Sequence, residues 1–157
     1  MIEIGVDFPI EIEEDGWPPL AVESLRAIFS APNRARIDNT PFFAKRVALG
    51  DVVSVIGNGH NGKFTLDKII ESSGNSSIAI ILRDHGCKQQ LVEYFSVANC
   101  FCEFGEFGAT KMLAASVPSI RSYFDIFIFL TRLEERGQIS FAELCLAHGS
   151  SVPDGSK

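Results

Sequence analysis

The regular alternation of apolar and polar residues at the start of the chain constrains the fold most strongly. Six apolar side chains occupy every even position: Ile2, Ile4, Val6, Phe8, Ile10 and Ile12. This period of two residues predicts a β-strand with one buried face, because successive side chains of a strand point to opposite sides. Pro9 lacks an amide donor, which favours either an edge position or a break in this strand.

The opposite face of this strand is acidic. We use the term N-terminal acids for the six carboxylates Glu3, Asp7, Glu11, Glu13, Glu14 and Asp15. Charged side chains on a strand at the edge of a sheet commonly serve only to prevent aggregation. The alternative is an anionic surface that binds a cationic partner, and the N-terminal acids are our candidate partner-binding residues.

Composition and charge limit the class of protein. The chain has 157 residues, of which 46% are hydrophobic and 22% charged, as in ordinary globular domains. A formal net charge of -6 opposes binding to nucleic acid and favours a partner with a basic surface. The longest apolar runs have five residues, and there is no secretory signal pattern, so we expect a cytoplasmic protein that does not contact membranes. The four cysteines are then expected to be free thiols.

Short predicted strands with turn residues between them occupy most of the N-terminal half. They cover residues 36–37, 42–47, 51–56 and 63–71, in addition to the alternating strand at the start. The spacing of Val22, Leu25, Ile28 and Phe29 predicts a short helix over residues 21–30. These elements indicate a small curled β-sheet or a partial barrel with one short helix.

Strands and helices alternate differently in the C-terminal half. Strands are predicted at residues 78–83, 100–104, 111–117 and 139–146, with helices at 87–98 and 119–136. Ser119 is the expected N-cap of the second helix, and Gly137 is expected to end it. The order of elements, βαββαβ, is that of a ferredoxin-like fold.

The predicted fold class is therefore α+β, with the N-terminal sheet packed on the ferredoxin-like half. We expect a β-rich half at residues 1–76, a ferredoxin-like half at 77–147 and a flexible tail at 148–157. The helix at 119–136 has apolar residues on more than one side. Its excess apolar surface would be covered either by the N-terminal sheet or by a second copy in a homodimer.

Three motifs resemble a known family. They are DGWPPLAVESL at residues 15–25, RIDNTPFFAKRVALGDVVSV at 36–55 and ESSGNSSIAI at 71–80. With its Asp-Asn-x-Pro-Phe, Gly-Asp-Val-Val and Ser-Gly-Asn-Ser elements, the chain is similar to an uncharacterised domain-of-unknown-function family of small bacterial proteins. The resemblance covers most of residues 5–117. It implies a short, single-domain cytosolic protein, and it implies no particular activity.

Four polar residues and one aromatic residue in the same motifs are candidates for a pocket. These candidates are Asp38, Asn39, Phe42, Asp51 and Asn75. The Asp-Asn pair and the following aromatic residues could form a polar floor on which a ligand stacks. The competing interpretation is an Asx turn in which the side-chain oxygens bind their own backbone. Asp51 could serve as a catalytic carboxylate if burial raised its pKa, or it could only form the turn before a strand.

Catalytic and metal-binding patterns are weak. Cys100 and Cys102 are two residues apart, which places them on one face of a strand and lacks the gap usual between paired zinc ligands. A serine, His148 and an aspartate would form a nucleophile and base only if the fold brought them together. We therefore assign no catalytic residue, no metal and no cofactor from the sequence.

Three functional hypotheses follow. The first is a non-enzymatic acidic binding protein, of an immunity or antitoxin type, that neutralises a basic bacterial effector through the N-terminal acids. The second is a regulatory protein that binds a small molecule or nucleotide in a cleft between the halves, near Asn39, Phe42 and Asn75. The third is an enzyme with a site centred on Asp38 or Asp51.

Overall fold

Five strands form a closed barrel in the N-terminal half of the computed structural model, which describes residues 2–57 and 60–148. The strands are β1 (Glu3–Pro9), β2 (Val22–Ala31), β3 (Arg34–Ile37), β4 (Val52–Ile56) and β5 (Lys63–Glu71). Each strand pairs antiparallel with the next, so the first and the last of the five point the same way. The barrel therefore closes through a parallel pairing, in which Val6 lies beside Phe64.

The predicted alternation in β1 is confirmed. Ile4, Val6 and Phe8 are buried in the barrel core. The strand ends at Pro9, which agrees with the predicted break. The alternative of an edge position is wrong, because β1 is paired with β2 on one side and with β5 on the other.

The helix predicted over residues 21–30 is wrong, because this segment forms β2. Leu25 and Ala27 are buried in the barrel core, whereas Arg26 between them is exposed. Buried residues therefore recur at every second position of this segment, as in a strand. The sequence obscures this pattern because the small side chain of Ala27 does not stand out as a core residue. Strands β1 and β3 supply backbone partners on both sides of β2, and this tertiary pairing overrides the local helical pattern.

The strand predicted over residues 42–47 is also wrong. This segment is irregular and lies in the connection between β3 and β4. The backbone amides of Phe42, Phe43 and Ala44 donate hydrogen bonds to the carboxylate of Glu23. A side chain thus provides the acceptors that a neighbouring strand would otherwise supply.

The C-terminal half has the predicted order of elements, strand–helix–strand–strand–helix–strand. Its elements are β6 (Ser76–Leu82), α1 (Lys88–Val97), β7 (Phe101–Phe107), β8 (Thr110–Val117), α2 (Tyr123–Glu135) and β9 (Ile139–Cys145). The four strands form one sheet in the order β7-β8-β6-β9, and every neighbouring pair is antiparallel. Neither helix in the described part of the chain is long and apolar enough to cross a membrane.

The two faces of this sheet pack against different partners. Ile78 and Ile80 of β6 point into a core that contains Leu91 of α1 and Leu130 of α2. Ala79, between them, belongs to a second buried cluster, whose other buried members are Phe43, Met112 and Leu144. The helices therefore cover one face, and the other face meets the loops of the barrel.

Helix α2 buries its excess apolar surface within its own half. Phe129 stacks on Tyr94 of α1, with ring centroids 3.7 Å apart, and Phe127 contacts Phe141 of β9. The expectation that the N-terminal sheet covers this helix is wrong, because that sheet packs on the opposite face. Phe124, at the start of the helix, remains 36% exposed.

The ends of α2 agree only in part with the prediction. The helix ends before Gly137, whose φ of 75° lies in the left-handed region, as predicted. Ser119 is not the N-cap, because the helix begins at Tyr123 and Ser122 precedes it. The amide of Ser119 instead donates to the side chain of Asn75, which holds the preceding segment outside the helix.

Gly105 on β7 provides space for an aromatic contact between the two halves. A Cβ atom added at Gly105 would lie 2.8 Å from Cζ of Phe42 and 3.0 Å from Cε2 of Phe107. We expect Gly105→Ala to lower the free energy of unfolding by about 1–3 kcal/mol, because the packed rings must shift. Urea denaturation measures this change. The cost should shrink in a Phe42→Leu background, and an equal cost in both backgrounds would contradict this explanation.

Candidate binding groove

A groove of about 600 Å³ lies between the loops of the barrel and the face of the C-terminal sheet that the helices leave open. Its apolar lining comes from both halves: Pro9, Ile10, Trp17, Pro18, Phe42, Phe43, Ala79, Ile81, Met112, Phe141, Ala142 and Leu144. Ser140 adds one hydroxyl. A concave site that combines apolar side chains with polar and charged groups is typical of ligand-binding sites.

Phe42 and Phe43 form the wedge between the two halves. Phe43 is buried, with its ring centroid 4.7 Å from that of Phe107 and 5.7 Å from that of Trp17. Phe42 packs on Phe107 at 5.2 Å. These edge-to-face contacts are favourable for aromatic rings, and they fix one wall of the groove.

Glu23 holds this wedge in place. One carboxylate oxygen accepts from the amide of Phe42 at 2.8 Å, and the other accepts from Phe43 at 3.0 Å and from Ala44 at 2.8 Å. Three successive amides bound to one carboxylate form an anion-binding nest. Because Glu23 lies on β2, this interaction fixes residues 42–44 to the barrel.

Four charged side chains also line the groove: Glu11, Glu13, Lys45 and Arg46. Within residues 2–57 and 60–148, none of the four has an opposite charge within 4.0 Å. The groove therefore presents two carboxylates and two cations that form no ion pair with the described residues.

Arg46 has an unusual backbone. Its φ is 65°, in the left-handed region that non-glycine residues seldom occupy. Its amide donates to the carbonyl of Leu144 on β9 at 2.9 Å, which ties the loop to the sheet. Backbone conformations of this kind persist where the surrounding structure imposes them, and they concentrate at functional sites.

The N-terminal acids do not form one surface. Glu3 lies on β1 with its carboxylate 3.9 Å from Nε of Arg26, away from the groove. Oδ1 of Asp7 is buried and accepts no hydrogen bond from the described residues. Glu11 and Glu13 line the groove, and Glu14 is exposed beside them.

Asp15, the last of the N-terminal acids, shapes the loop that follows β1. Its Oδ1 accepts a hydrogen bond from the amide of Trp17 at 3.0 Å. This bond and the turn around it position the indole that lines the groove.

Asp38 and Asn39 do not line the groove. Oδ2 of Asp38 is 3.5 Å from Nε of Arg26, and Oδ1 of Asn39 accepts from the amide of Arg26 at 2.7 Å. These contacts connect the loop after β3 to β2. Of the five predicted pocket residues, only Phe42 lines the groove.

Asp51 and Asn75 belong to a buried network that connects the two halves. Oδ1 of Asp51 accepts from both the amide and the hydroxyl of Ser73 at 2.8 Å, and Oδ2 accepts from the amide of Ala48. Nδ2 of Asn75 donates to the carbonyl of Leu49, and Oδ1 accepts from the amide of Ser119. Both side chains bind backbone groups of the chain and do not face the groove.

The structure brings Ser76 and His148 together. The hydroxyl of Ser76 lies 2.6 Å from Nδ1 of His148, and Nε2 lies 2.9 Å from the carbonyl oxygen of Pro118. Because that carbonyl can only accept, Nε2 is the nitrogen that donates to it. Ser76 is fully buried and its oxygen also accepts from the amide of Ala147, so the hydroxyl has no access to a substrate.

Residues 149–157 of the predicted tail lie outside the described residues.

The cysteines lie in or beside the cores. Burial raises the pKa of the Cys100 thiol to about 11, although the charge of Arg121 acts in the opposite direction. Burial likewise raises the pKa of Cys87. In the described part of the chain, no group of three or more His, Cys, Asp or Glu side chains could hold a metal ion.

Comparison with known proteins places the chain in a family. A model of a domain of unknown function, DUF4265, matches residues 23–141. The chain belongs to the DUF4265 family. A solved structure described as a hypothetical protein from Neisseria gonorrhoeae has the same fold, with a TM-score of 0.71 and 24% identity over 92% of this chain and 94% of that chain. No curated protein matches.

The DUF4265 match includes only some of the residues that line the groove. It begins at Glu23 and includes the wedge Phe42–Phe43 and the cations Lys45 and Arg46. Glu11, Glu13 and Trp17 precede it. The wedge and its carboxylate anchor therefore lie within the family match, and the acidic wall lies outside it.

Sequence reasoning missed Glu23, Lys45 and Arg46. Glu23 has a signal in hindsight, since it shares the odd positions of β2 with the buried Leu25 and Ala27. A carboxylate on the inward face of a strand needs donors nearby. Lys45 and Arg46 had no such signal, because their position depends on the irregular path of residues 42–47.

Replacing Glu23 tests its function as the anchor of the wedge. Glu23→Ala leaves three amides without their acceptor, and we expect the free energy of unfolding to fall by about 2–4 kcal/mol. Glu23→Gln, which retains one acceptor, should cost less. Urea denaturation followed by Trp17 fluorescence measures both. Glu71→Ala removes an exposed carboxylate and serves as the control. A Glu23→Ala variant as stable as this control would refute the anchor.

The buried thiol of Cys100 predicts a pH dependence. A pKa that is higher in the folded than in the unfolded chain stabilises the fold below about pH 9, and this contribution is lost as the pH rises toward 11. We expect Cys100→Ala to reduce the loss of unfolding free energy between about pH 9 and pH 11 by roughly 1–2 kcal/mol. Denaturation at several pH values checks this. Identical slopes in both proteins would contradict it, and Cys87 should retain part of the slope in the variant.

Proposed function

We propose that this protein is a non-enzymatic binding protein whose partner is a protein with a basic surface. The observation that carries the proposal is the groove, where an apolar floor adjoins Glu11 and Glu13. Glu14 and Asp15 continue this acidic wall on the exposed loop. The net charge of -6 has the same sign as the wall.

The two parts of the site contribute differently to binding. Exposed carboxylates raise the rate of encounter with a cationic partner, and this effect weakens as ionic strength increases. The apolar floor can receive an aliphatic or aromatic side chain of the partner, and such anchors supply most of the affinity of protein interfaces. An immunity or antitoxin type of protein, which covers the active surface of a basic effector, would use this combination.

We also propose a fold class for the two halves and a cellular location for the protein. We propose that residues 1–76 and 77–147 are two halves of one integrated unit, and that the second half is ferredoxin-like. The antiparallel sheet order β7-β8-β6-β9 supports that classification. The buried thiols of Cys87 and Cys100 support a cytoplasmic location, where reducing conditions keep cysteines free.

A second candidate function is the binding of a small molecule in the same groove. Its volume falls in the range of roughly 300–1,000 Å³ that is usual for small-molecule sites. Lys45 and Arg46 give it a cationic wall that a basic protein partner would not need. This observation supports a small-molecule regulatory function as the second candidate.

A homodimer through residues 119–136 remains a separate prediction. Ile120 is 84% exposed and Phe124 is 36% exposed at the start of this segment. Burial of both in a partner copy would remove apolar surface from water. Sedimentation of the full chain over a range of concentrations measures this equilibrium.

Charge reversal tests the basic partner. We expect Glu11→Lys, Glu13→Lys and Glu14→Lys together to reduce recovery of basic proteins from the native host at least tenfold, because the acidic wall becomes cationic. Asp15 is retained because it binds the amide of Trp17. Quantitative mass spectrometry of proteins captured at low ionic strength and released at high ionic strength measures the recovery.

The matched control reverses three exposed acids elsewhere, Glu71, Glu93 and Glu135. It has the same net charge as the first variant, so it removes any non-specific effect of charge. Equal losses in both variants would show that only net charge matters. Undiminished recovery with the first variant would exclude the acidic wall as the binding surface.

A further inference from the structure

We propose that the groove binds a short apolar peptide with free ends, its ammonium group at Glu11 and Glu13 and its carboxylate at Lys45 and Arg46. This inference rests on the second candidate function, that the groove holds a small molecule, and it names the class of that molecule. Its basis is the presence in one groove of an apolar floor, two carboxylates and two cations, none of which forms an ion pair within residues 2–57 and 60–148.

The charges discriminate among the classes of apolar ligand. An apolar anion would gain from Lys45 and Arg46 but would lie in the same groove as Glu11 and Glu13, which repel it. An apolar cation would meet the converse problem. An uncharged ligand would give none of these four exposed charged groups a partner. A zwitterion alone provides a counter-charge for both pairs.

The two ends would be bound by groups suited to them. The guanidinium of Arg46 can donate two parallel hydrogen bonds to one carboxylate, and Lys45 can add a point charge. Glu11 and Glu13 can accept the three hydrogen bonds of an ammonium group. The hydrogen bond from Arg46 to the carbonyl of Leu144 holds the cationic wall against the sheet.

The apolar body would lie on the apolar floor of the groove. Aromatic and aliphatic side chains there include Phe42, Phe43, Ile81 and Met112. A groove of about 600 Å³ suits a ligand of drug size, which corresponds to a peptide of about three apolar residues. Trileucine is accordingly a suitable probe.

The protein contains its own reporter of occupancy. Trp17 is the only tryptophan in the chain, and it lines the groove. Trileucine contains no aromatic group, so any change in indole emission upon addition comes from the protein. Calorimetry gives an independent measure of the same affinity.

The experiment crosses four peptides with three proteins. The peptides are trileucine with free ends, its N-acetyl form, its C-terminal amide and the doubly blocked form. The proteins are the unmodified chain, the pair Glu11→Gln with Glu13→Gln, and the pair Lys45→Gln with Arg46→Gln. Thermal unfolding of each variant verifies that it is folded before titration.

The inference makes a specific prediction for each combination. With the unmodified chain, blocking either end should weaken binding roughly tenfold, because one charged contact is lost. Acetylation should have little further effect in the Glu11 and Glu13 variant, and amidation should have little further effect in the Lys45 and Arg46 variant. This matching of each end to one wall is the coupling that a double-mutant cycle detects.

Other outcomes overturn the inference in distinguishable ways. Equal binding of all four peptides would show an apolar site without recognition of the ends, which leaves the small-molecule function standing. Sensitivity to acetylation alone would show a cation site, which favours the basic protein partner. No binding of any peptide to the folded chain would refute the inference, and the second candidate function would then need a ligand of another class.

Discussion

The carboxylate of Glu23, bound to three consecutive amides, is the interaction on which the rest of the site depends. Residues 42–44 have no neighbouring strand, so their amides would lack protein acceptors without it. The cost of leaving such groups unpaired exceeds the gain from an average hydrogen bond. Glu23 thereby converts an irregular loop into a fixed wedge between the barrel and the sheet. Lys45 and Arg46 come shortly after this wedge in the sequence.

The groove exists because the C-terminal sheet has one face without helices. Alternation along β6 sends Ile78 and Ile80 to the helices and leaves Ala79 and Ile81 on the other face. The barrel covers this face only in part, through Phe43 and Trp17. What remains is an apolar surface at the junction, and the loops that border it supply the charges. Side chains from both halves therefore line the groove at this junction.

The sequence permitted a good prediction of elements whose pattern is local. The alternation in β1, the bounds of β5 and the end of α2 at Gly137 all follow from neighbouring residues. Strand β2 was predicted as a helix because its burial is set by pairing with two other strands. The path of residues 42–47 depends on Glu23, about twenty residues earlier, and no local pattern contains that contact. The groove combines several such long-range contacts, so its charged walls could not be recognised as one site.

The geometry of the groove also depends on contacts between residues that do not line it. Asp51 binds Ser73, and Asn75 connects Leu49 of the barrel side to Ser119 before α2. These bonds fix how the loops after β3 and β5 approach the sheet. A buried carboxylate with three hydrogen bonds resists small displacements, because each bond is short and directional. The polar residues singled out in the family motifs thus position the two halves, and the less conspicuous Lys45 and Arg46 supply the charges that a ligand would meet.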